Sequence, residues 1–458
     1  MFSYVIIFLF MSVTGALAGE TSQLDEYINM ALQSNLALQQ QEFSFEKSSA
    51  ALDEARGLFL PTVSLNARYS RAGGGRQIEI PVGQFVNPVY QTLNYLLQQN
   101  VFPADVGVQT FPFLREEEQE TKIRAVQPLF KPEIVYNYQI KDRLREIEES
   151  GKKVYARQLV AEVKTAYFNY LKSLEIIRFL DRTRELLQEN LRVNEKLVEN
   201  QKVTWEVVYR SRADLSLLEK QRAESEKSLD MARAYFNFLL NRPQNITIEP
   251  VQLELELAVT EIDLTAAENQ ALDNRQELKQ LAAGVEAANS GIKLNRSAFL
   301  PGVFAVLDYG FQGEQYRFSQ EDDFWMASLI LEWNLFNGFQ DKSRIQQASL
   351  EKKKIEARRQ ELENQIRLEV REAWHNLGVA RKDLQSTRDR LDSQKKSFEI
   401  VDKKYQQGMA LQVEYLDARN NYLQSEIQQV VATFDYHICQ AELEKTVASY
   451  DLTKNENK

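Results

Sequence analysis

The sequence is poor in the residues that most enzymes and metal sites use. Its 458 residues include one cysteine, Cys439, and two histidines, His375 and His437. One cysteine cannot form an internal disulfide framework or a thiolate zinc site, and two histidines leave little material for metal binding or general-base chemistry. No Gly-x-Ser-x-Gly, His-Glu-x-x-His or Cys-x-x-Cys motif is present. We therefore expect a protein that is not an enzyme and that has no catalytic residues, cofactor or metal site.

Proline and glycine are also scarce, at 10 and 17 residues, which is about half the usual share. No proline lies between Pro132 and Pro243 or after Pro301. Because proline removes a backbone donor and clashes with the preceding turn, both proline-free stretches are free to form long helices. The distribution argues against a β-sandwich and against a chain of small, loop-rich domains.

Excess positive charge and long apolar runs are absent too. The net charge of −10 argues against a nucleic-acid partner, and no run after Ala18 is long enough for a membrane-spanning helix. The N-terminus differs, because residues 5–13 are nearly all apolar and Ala16-Leu17-Ala18 is a small-x-small cleavage pattern. We expect residues 1–18 to be a signal peptide and the mature protein to be exported.

What the sequence contains is one plan used twice. Phe299-Leu300-Pro301 repeats Phe59-Leu60-Pro61, and Leu335-Phe336 repeats Leu129-Phe130. Each Phe-Leu-Pro motif is followed by apolar and polar residues in strict alternation, which predicts four strands of about ten residues. Such strands suit a tilted crossing of a bilayer, although a soluble sheet packed on helices has the same pattern. The predicted export and the aromatic residues of the apolar face favour the membrane.

Each strand pair is followed by a predicted long helical hairpin. Apolar residues recur every seven positions between Gly338 and Gln407, at Val370, Leu377, Leu384, Leu391, Phe398 and Tyr405. This heptad pattern indicates a coiled-coil seam, with descending arms of about 70 residues that turn near Gln201 and Gly408.

A membrane sheet cannot keep open edges, so four strands require several copies. The face predicted to line a lumen is polar and favours a trimer over a filled dimeric barrel; it consists of Thr62, Ser64, Asn66, Arg68, Asp308, Gln312, Glu332 and Asn334.

The motifs resemble those of the TolC outer-membrane efflux family. The most specific ones are Trp333-Asn334-Leu335-Phe336-Asn337-Gly338 and the segment 405–418, and the resemblance covers essentially the whole mature chain. It implies a mainly α-helical fold with a membrane β-barrel, in which a homotrimer forms a twelve-stranded barrel and an α-helical periplasmic tunnel. It also implies an export duct in the outer membrane, with a large periplasmic portion, that works with a periplasmic adaptor and an inner-membrane pump or exporter.

On this plan the chain divides into nine segments. They are the signal peptide (1–18), a periplasmic helix (19–57), the first strand pair (58–130) with an extracellular insert (72–119), the first helical hairpin (131–242), a crossover linker (243–261), a second periplasmic helix (262–297), the second strand pair (298–336), the second helical hairpin (337–450) and a polar tail (451–458). The apolar content of the insert predicts a folded cap, and whether it narrows the outer mouth stays open at this point.

The resemblance also implies site residues. Glu414 and Asp417 match the acidic residues that ring the periplasmic gate, and Tyr405 matches a gate clamp, although core packing explains Tyr405 equally well. Adaptor docking is expected at the two hairpin tips, which comprise Gln201, Lys202, Val203, Thr204, Trp205, Gly408, Met409, Ala410 and Leu411. The first tip lacks the glycine that the family often has there. The competing hypothesis is an exported coiled-coil structural or adhesion protein without a pore.

Overall fold

The computed structural model describes residues 23–250, 263–407 and 409–452. The predicted signal peptide, most of the crossover linker, Gly408 and most of the polar tail lie outside the described residues. The chain forms two compact units. The helical unit comprises Met1–Ser48, Leu144–Val285 and Lys353–Lys458, and the sheet unit comprises Ser49–Arg143 and Glu286–Lys352.

Within the described residues there are nine helices and six strands. The helices are α1 (Gln23–Ser34), α2 (Leu36–Gly57), α3 (Val82–Leu97), α4 (Pro132–Glu199), α5 (Trp205–Leu239), α6 (Leu264–Asn274), α7 (Gln276–Ser297), α8 (Gln340–Gln406) and α9 (Gln412–Val447). The strands are β1 (Thr62–Arg71), β2 (Gln77–Ile80), β3 (Gln109–Pro112), β4 (Glu117–Phe130), β5 (Gly302–Gly313) and β6 (Asp323–Glu332). The long arms α4 and α8 contain 68 and 67 residues, in line with the predicted hairpins. Among these helices none combines the length and apolar character needed to cross a membrane.

The core of the helical unit is built along the heptad seams. Ile366 and Val370 of α8 are fully buried against α6 and α9. Val163, the counterpart of Val370 in the first repeat, is also fully buried. It lies in a larger cluster in which Tyr27 of α1 meets the ring of Phe236 edge-on, at 5.1 Å between centroids. Seam residues at period 3.5 therefore bury the same faces in both repeats.

The helix that precedes each strand pair is broken at one residue, which the sequence pattern did not predict. Asn35 separates α1 from α2, and Arg275 separates α6 from α7. The Asn35 side chain accepts hydrogen bonds from the N–H groups of Ala37 and Leu38 at 3.0 Å and donates one to the carbonyl of Leu239 at 2.9 Å. This is an N-cap that also ties the break to α5.

The main sheet is a four-stranded antiparallel sheet in the order β1-β4-β5-β6. Its register places Leu65, Ile123, Tyr309 and Trp325 on one rung across all four strands. In the described chain β1 and β6 each pair on one side only.

One strand is shorter than its alternation predicted. The pattern of β6 continues to Leu335, but pairing stops at Glu332. Trp333 leaves the ladder because its indole N–H donates to the carbonyl of Phe299 at 3.1 Å. Trp333, Asn334 and Leu335 therefore lie after the strand, and Asn334 does not belong to the polar strand face on which it was expected.

Both Phe-Leu-Pro turns are closed by a side-chain hydrogen bond to the carbonyl of the phenylalanine. In the first repeat the amide of Gln127 donates to the carbonyl of Phe59 at 3.0 Å, where the second repeat uses Trp333 and Phe299. The N–H groups of Leu60 and Leu300 bond three residues back, at 3.0 and 2.8 Å. The repeated motif thus marks a repeated helix-to-strand turn.

Candidate functional site

The two faces of the main sheet differ in chemistry. One face carries apolar side chains that the single chain leaves exposed, among them Leu65, Leu307, Trp325 and Leu329, whose exposed fractions lie between 52% and 74%. An apolar face of this extent is unusual on a soluble monomer and marks a surface that contacts lipid or another protein.

The opposite face of the sheet is polar and forms ion pairs across strands. Arg124 of β4 binds both carboxylate oxygens of Asp308 on β5, at 2.7 and 2.8 Å, and the Asp308 side chain is fully covered. Glu120 binds Lys122 at 2.5 Å and lies 3.5 Å from Arg68 of β1. Bidentate arginine pairs fix geometry as well as charge, so this face holds its charges in place.

Aromatic side chains gather at both ends of the sheet. Near the β5–β6 turn, Tyr69 stacks on Tyr316 at 6.0 Å, and Phe318 meets Phe311 edge-on at 5.2 Å. At the opposite end Phe59, Phe299, Trp333, Phe336 and Phe339 are all exposed. Two aromatic groups that bound an apolar band are the pattern of membrane β-strands.

The tip of the second hairpin places the two predicted gate residues on one exposed face of α9. Glu414 and Asp417 are both exposed and lie one helical turn apart. The Glu414 carboxylate accepts a hydrogen bond from the N–H of Leu411 at 3.0 Å, which caps the start of α9. Asp417 accepts a hydrogen bond from the side-chain amide of Asn421, one turn further along α9, at 3.2 Å. Glu414 therefore has a local structural role that Asp417 lacks.

Tyr405 lies in a column of rings that joins α8 to α9. It stacks on Tyr415 at 4.8 Å, and Phe398 packs against Tyr415 at 5.8 Å and stacks on Tyr422 at 5.6 Å. All four rings are half-buried, and burial raises the pKa of Tyr415. These contacts hold the two arms of the second hairpin together near its tip.

The two hairpins are joined by an ion pair that sequence reasoning missed. Arg419 of α9 is 6% exposed, and its guanidinium donates to Asp214 of α5 at 3.1 Å and to the side chain of Asn420 at 3.3 Å. A buried arginine needs a partner, but that partner is far away in sequence and no local pattern identifies it. This link lies two residues beyond Asp417.

The first tip makes its turn without glycine. Gln201 adopts a positive φ of 56°, and the N–H of Lys202 bonds to the carbonyl of Leu197 at 2.8 Å, as in a Schellman-type helix end. Trp205 follows at the start of α5, 56% exposed and 6.1 Å from the ring of Tyr209.

The second tip is also apolar and exposed. Met409 and Leu411 have exposed fractions of 66% and 67%, and Val413 follows at 53%. Both tips thus present apolar side chains at the end of a helical hairpin.

His437 and Cys439 lie in half-buried positions on α9, whereas His375 of α8 is exposed. His437 stacks on Phe168 at 5.2 Å, and burial lowers its pKa. Cys439 is half-buried, and burial raises the pKa of its thiol. Among the described residues no cluster of three or more His, Cys, Asp and Glu side chains could hold a metal ion.

Comparison with known protein families gives a match over the second repeat of the chain. The family model described as "Outer membrane efflux protein" matches residues 268–449, so this part of the chain carries the pattern of the outer membrane efflux proteins. The resemblance to the TolC family is confirmed. No curated protein sequence matches the chain.

Solved structures extend the likeness to nearly the whole chain. The CmeC outer membrane channel of Campylobacter jejuni is similar, with a TM-score of 0.75 at 16% identity. The superposition covers 95% of this chain and 89% of the CmeC chain. The outer membrane protein VceC of Vibrio cholerae has a TM-score of 0.73 at 13% identity, with 93% and 96% covered. The open state of the MtrE outer membrane channel of Neisseria gonorrhoeae has a TM-score of 0.70 at 16% identity, with 93% and 88% covered. The protein thus has the fold of these channels.

Proposed function

We propose that this protein is the outer-membrane export duct of a tripartite efflux or type I secretion system. Three copies form one channel, which receives substrate from a periplasmic adaptor and an inner-membrane pump or exporter and releases it outside the cell. The observation that carries the proposal is the four-stranded sheet with one exposed apolar face, one charged face and two unpaired edges. Backbone groups cannot stay unpaired in lipid, so the edges need partners from other copies.

The strand count favours three copies. Membrane barrels begin at about eight strands, and a barrel of that size is largely filled by its own side chains. Three four-stranded sheets give twelve strands and leave room for water on the side of Arg124, Asp308, Glu120 and Lys122. With β1 at one edge and β6 at the other, each 10 residues long, the seams between copies are matched in length.

We further propose that Glu414 and Asp417 ring the periplasmic gate. Threefold symmetry would bring six carboxylates around one axis, where like charges repel and attract cations. The hydrogen bond to Leu411 holds the Glu414 carboxylate in place. Asp417 contributes a second carboxylate, which does not cap the helix. The column of Tyr405, Tyr415 and Phe398 then keeps the hairpin tip in one conformation.

The hairpin tips are proposed as the adaptor-docking surface. Trp205 and Tyr209 on the first tip, and Met409 and Leu411 on the second, are more than half exposed. Aromatic and methionine side chains of this kind dominate protein interfaces. Exposed apolar side chains at the ends of helical hairpins suit contact with a protein partner such as the adaptor.

The test is electrical. The full chain, extracted from membranes in detergent, should migrate as a heat-modifiable trimer and give cation-selective steps in planar lipid bilayers. Asp417→Asn and Glu414→Gln should weaken selectivity and block by multivalent cations, because both keep the size of the side chain and remove its charge. Asp383→Asn, which removes an exposed carboxylate from α8, the other arm of the same hairpin, is the matched control. A protein that is soluble without detergent and does not conduct would instead support the coiled-coil structural protein, and unchanged selectivity would remove the gate role.

A further inference from the structure

The insert between β1 and β4 contains an amphipathic helix whose polar side is buried and whose apolar side is exposed. This helix is α3, and the segment 98–108 returns along it. Phe85, Val89 and Leu96 have exposed fractions of 71%, 55% and 71%, whereas Asn94, on another side of the helix, is 9% exposed. A helix on a water-soluble surface has the opposite arrangement.

The buried side holds the returning segment by its backbone. Asn94 accepts hydrogen bonds from the N–H groups of Val101 and Phe102, at 3.0 and 2.9 Å, and donates to the Phe102 carbonyl at 2.7 Å. Asn87 exchanges two bonds with the backbone of Val106, at 2.9 and 3.1 Å.

Close packing of the same side requires a glycine. A Cβ atom at Gly83 would lie 1.8 Å from the carbonyl oxygen of Val106, so only glycine fits there. The helix and its return are therefore a built unit, which we call the cap (residues 81–108).

The exposed side of the cap is an apolar stripe formed by Phe85, Val89, Leu93 and Leu96. These residues follow one another at helical spacing. No charged residue lies between Glu79 and Asp105, so the stripe has no lysine or arginine with which to bind anionic lipid headgroups. Interfacial membrane helices are usually rich in such residues.

A belt of charge separates the cap from the apolar face of the sheet. Arg71 pairs with Glu117 at the end of β1 and β4, and Arg76 and Arg115 follow on the two chains that lead to the cap. Backbone pairing continues from the β1–β4 pair toward the cap. The N–H of Phe113 bonds to the Arg76 carbonyl at 2.9 Å, and β2 then pairs with β3. The cap thus lies beyond the charged end of the band assigned to lipid, where an uncovered apolar stripe would face water.

We propose that the stripe of α3 packs against the cap of a neighbouring copy and that the three caps together narrow the outer mouth of the channel. The cap is carried by β1, which is a free edge of the sheet and therefore the strand at which the next copy joins. The stripe lies in the segment that follows β1 along the chain and carries no charge, and apolar stripes of identical copies can bury one another around a threefold axis. This inference rests on the proposed trimeric channel.

The test is cross-linking between single cysteines in the full-length protein, with Cys439→Ala as background. Phe85→Cys and Val89→Cys should each give covalent dimers with a short bis-maleimide in native membranes, because one cysteine per copy can be linked to only one other copy. Gln91→Cys, exposed on another side of α3, should give almost none. Heat-modifiable migration of each variant is the control for assembly, so a failed trimer contradicts the proposed function, whereas an intact trimer without cross-links overturns only the cap contact.

A second measurement distinguishes whether lipid or protein covers the apolar stripe of α3. A bimane label at Phe85→Cys should be shielded from the water-soluble quencher acrylamide and from phospholipids brominated in their acyl chains. Strong quenching by the brominated lipid would overturn the proposal, because it would place the stripe in the membrane. Replacing Phe85 and Leu96 by Asp should increase single-channel conductance in planar bilayers, and unchanged conductance would contradict the narrowing of the mouth.

Discussion

The two repeats share their scaffold and differ at their ends. Both contain a helix broken at a single residue, a Phe-Leu-Pro turn closed by a side chain, two strands, and a hairpin with an arm of 68 or 67 residues. They diverge in the cap, which only the first repeat has, and in the hairpin tips, where the first has Gln201 and Trp205 and the second has Glu414 and Asp417.

The difference indicates where function lies. Gln127 and Trp333 occupy equivalent positions in the two repeats, and each closes the Phe-Leu-Pro turn of its repeat. They do so with different side chains, an amide in the first repeat and an indole in the second. In the proposed function the ends differ because they would contact partners, ions or other copies. If this comparison is correct, matched changes in the two scaffolds should have matched effects, and matched changes at the two tips should not.

The largest expected effect is on the apolar face of the sheet. Leu65→Arg in the first repeat and Leu307→Arg in the second should each cost about 2 to 4 kcal/mol per copy, the usual penalty for arginine facing lipid near the middle of a bilayer. Both should lose the heat-modifiable trimer. Asn66→Arg, one residue along but on the polar face, is the control and should retain it. A normal trimer for both leucine variants would mean that this face does not contact lipid.

The helix breaks should come next. Asn35→Ala removes an N-cap and leaves the Leu239 carbonyl without its donor, which should cost about 2 kcal/mol in thermal or denaturant unfolding. Asn295→Ala, which loses only a bond within its own helix, should cost far less. Equal losses would show that the break at Asn35 carries no special stability.

The second break should differ from the first in its response to salt. Arg275 is held by ion pairs with Glu277, at 2.6 Å, and with Glu369. The cost of Arg275→Ala should therefore fall as ionic strength rises, whereas the cost of Asn35→Ala should not. The two variants can be compared in unfolding curves at low and high salt, and a salt-independent cost at both positions would contradict the ion-pair account.

A smaller effect concerns pH in the helical unit. Burial against Phe168 lowers the pKa of His437 below its ordinary 6.5, so the folded protein disfavours the charged ring. The stability from this contact should be complete above about pH 6.5 and should be lost as the pH falls toward the lower folded pKa. His437→Gln should flatten this part of the stability curve, and superimposable curves for the two proteins would contradict the assignment.

The smallest effect is expected at the first tip. Gln201→Gly relieves a left-handed conformation that costs roughly 1 to 2 kcal/mol in a residue with a Cβ atom, but it also adds freedom to the unfolded chain. The net gain should be less than about 1 kcal/mol. Gln201→Val should instead destabilise the hairpin, and a stable valine variant would show that the positive φ is not required.

The sequence was most informative where a period was long and uninterrupted. The heptad around Val370 identified a buried helix face, and the alternation around Leu65 identified an apolar strand face. A repeating pattern of this length stays recognisable even when one position carries an atypical residue. The family motifs identified the gate candidates, whose role stays a prediction.

Local exceptions were not predictable in the same way. Asn35 and Arg275 break helices without proline or glycine, and Trp333 continues an alternation while its indole bonds elsewhere. Helix α3 contains Pro88, a residue that usually breaks a helix. The Arg419–Asp214 pair depends on two helices meeting, and no spacing within either helix reveals it.

In the proposed trimer β1 of one copy pairs with β6 of the next, and a disulfide across that seam is the decisive test. Within one chain β1 and β6 are separated by two strands, or roughly 14 Å at the usual strand spacing, which is too far for a disulfide. In the Cys439→Ala background, Ser64→Cys should be combined in turn with Met326→Cys, Ser328→Cys and Ile330→Cys, all on the polar face. At least one combination should give a covalent trimer under mild oxidation, whereas Ser64→Cys with Ala327→Cys, on the other face, should not. Monomers in every combination, from protein that is otherwise folded, would contradict it.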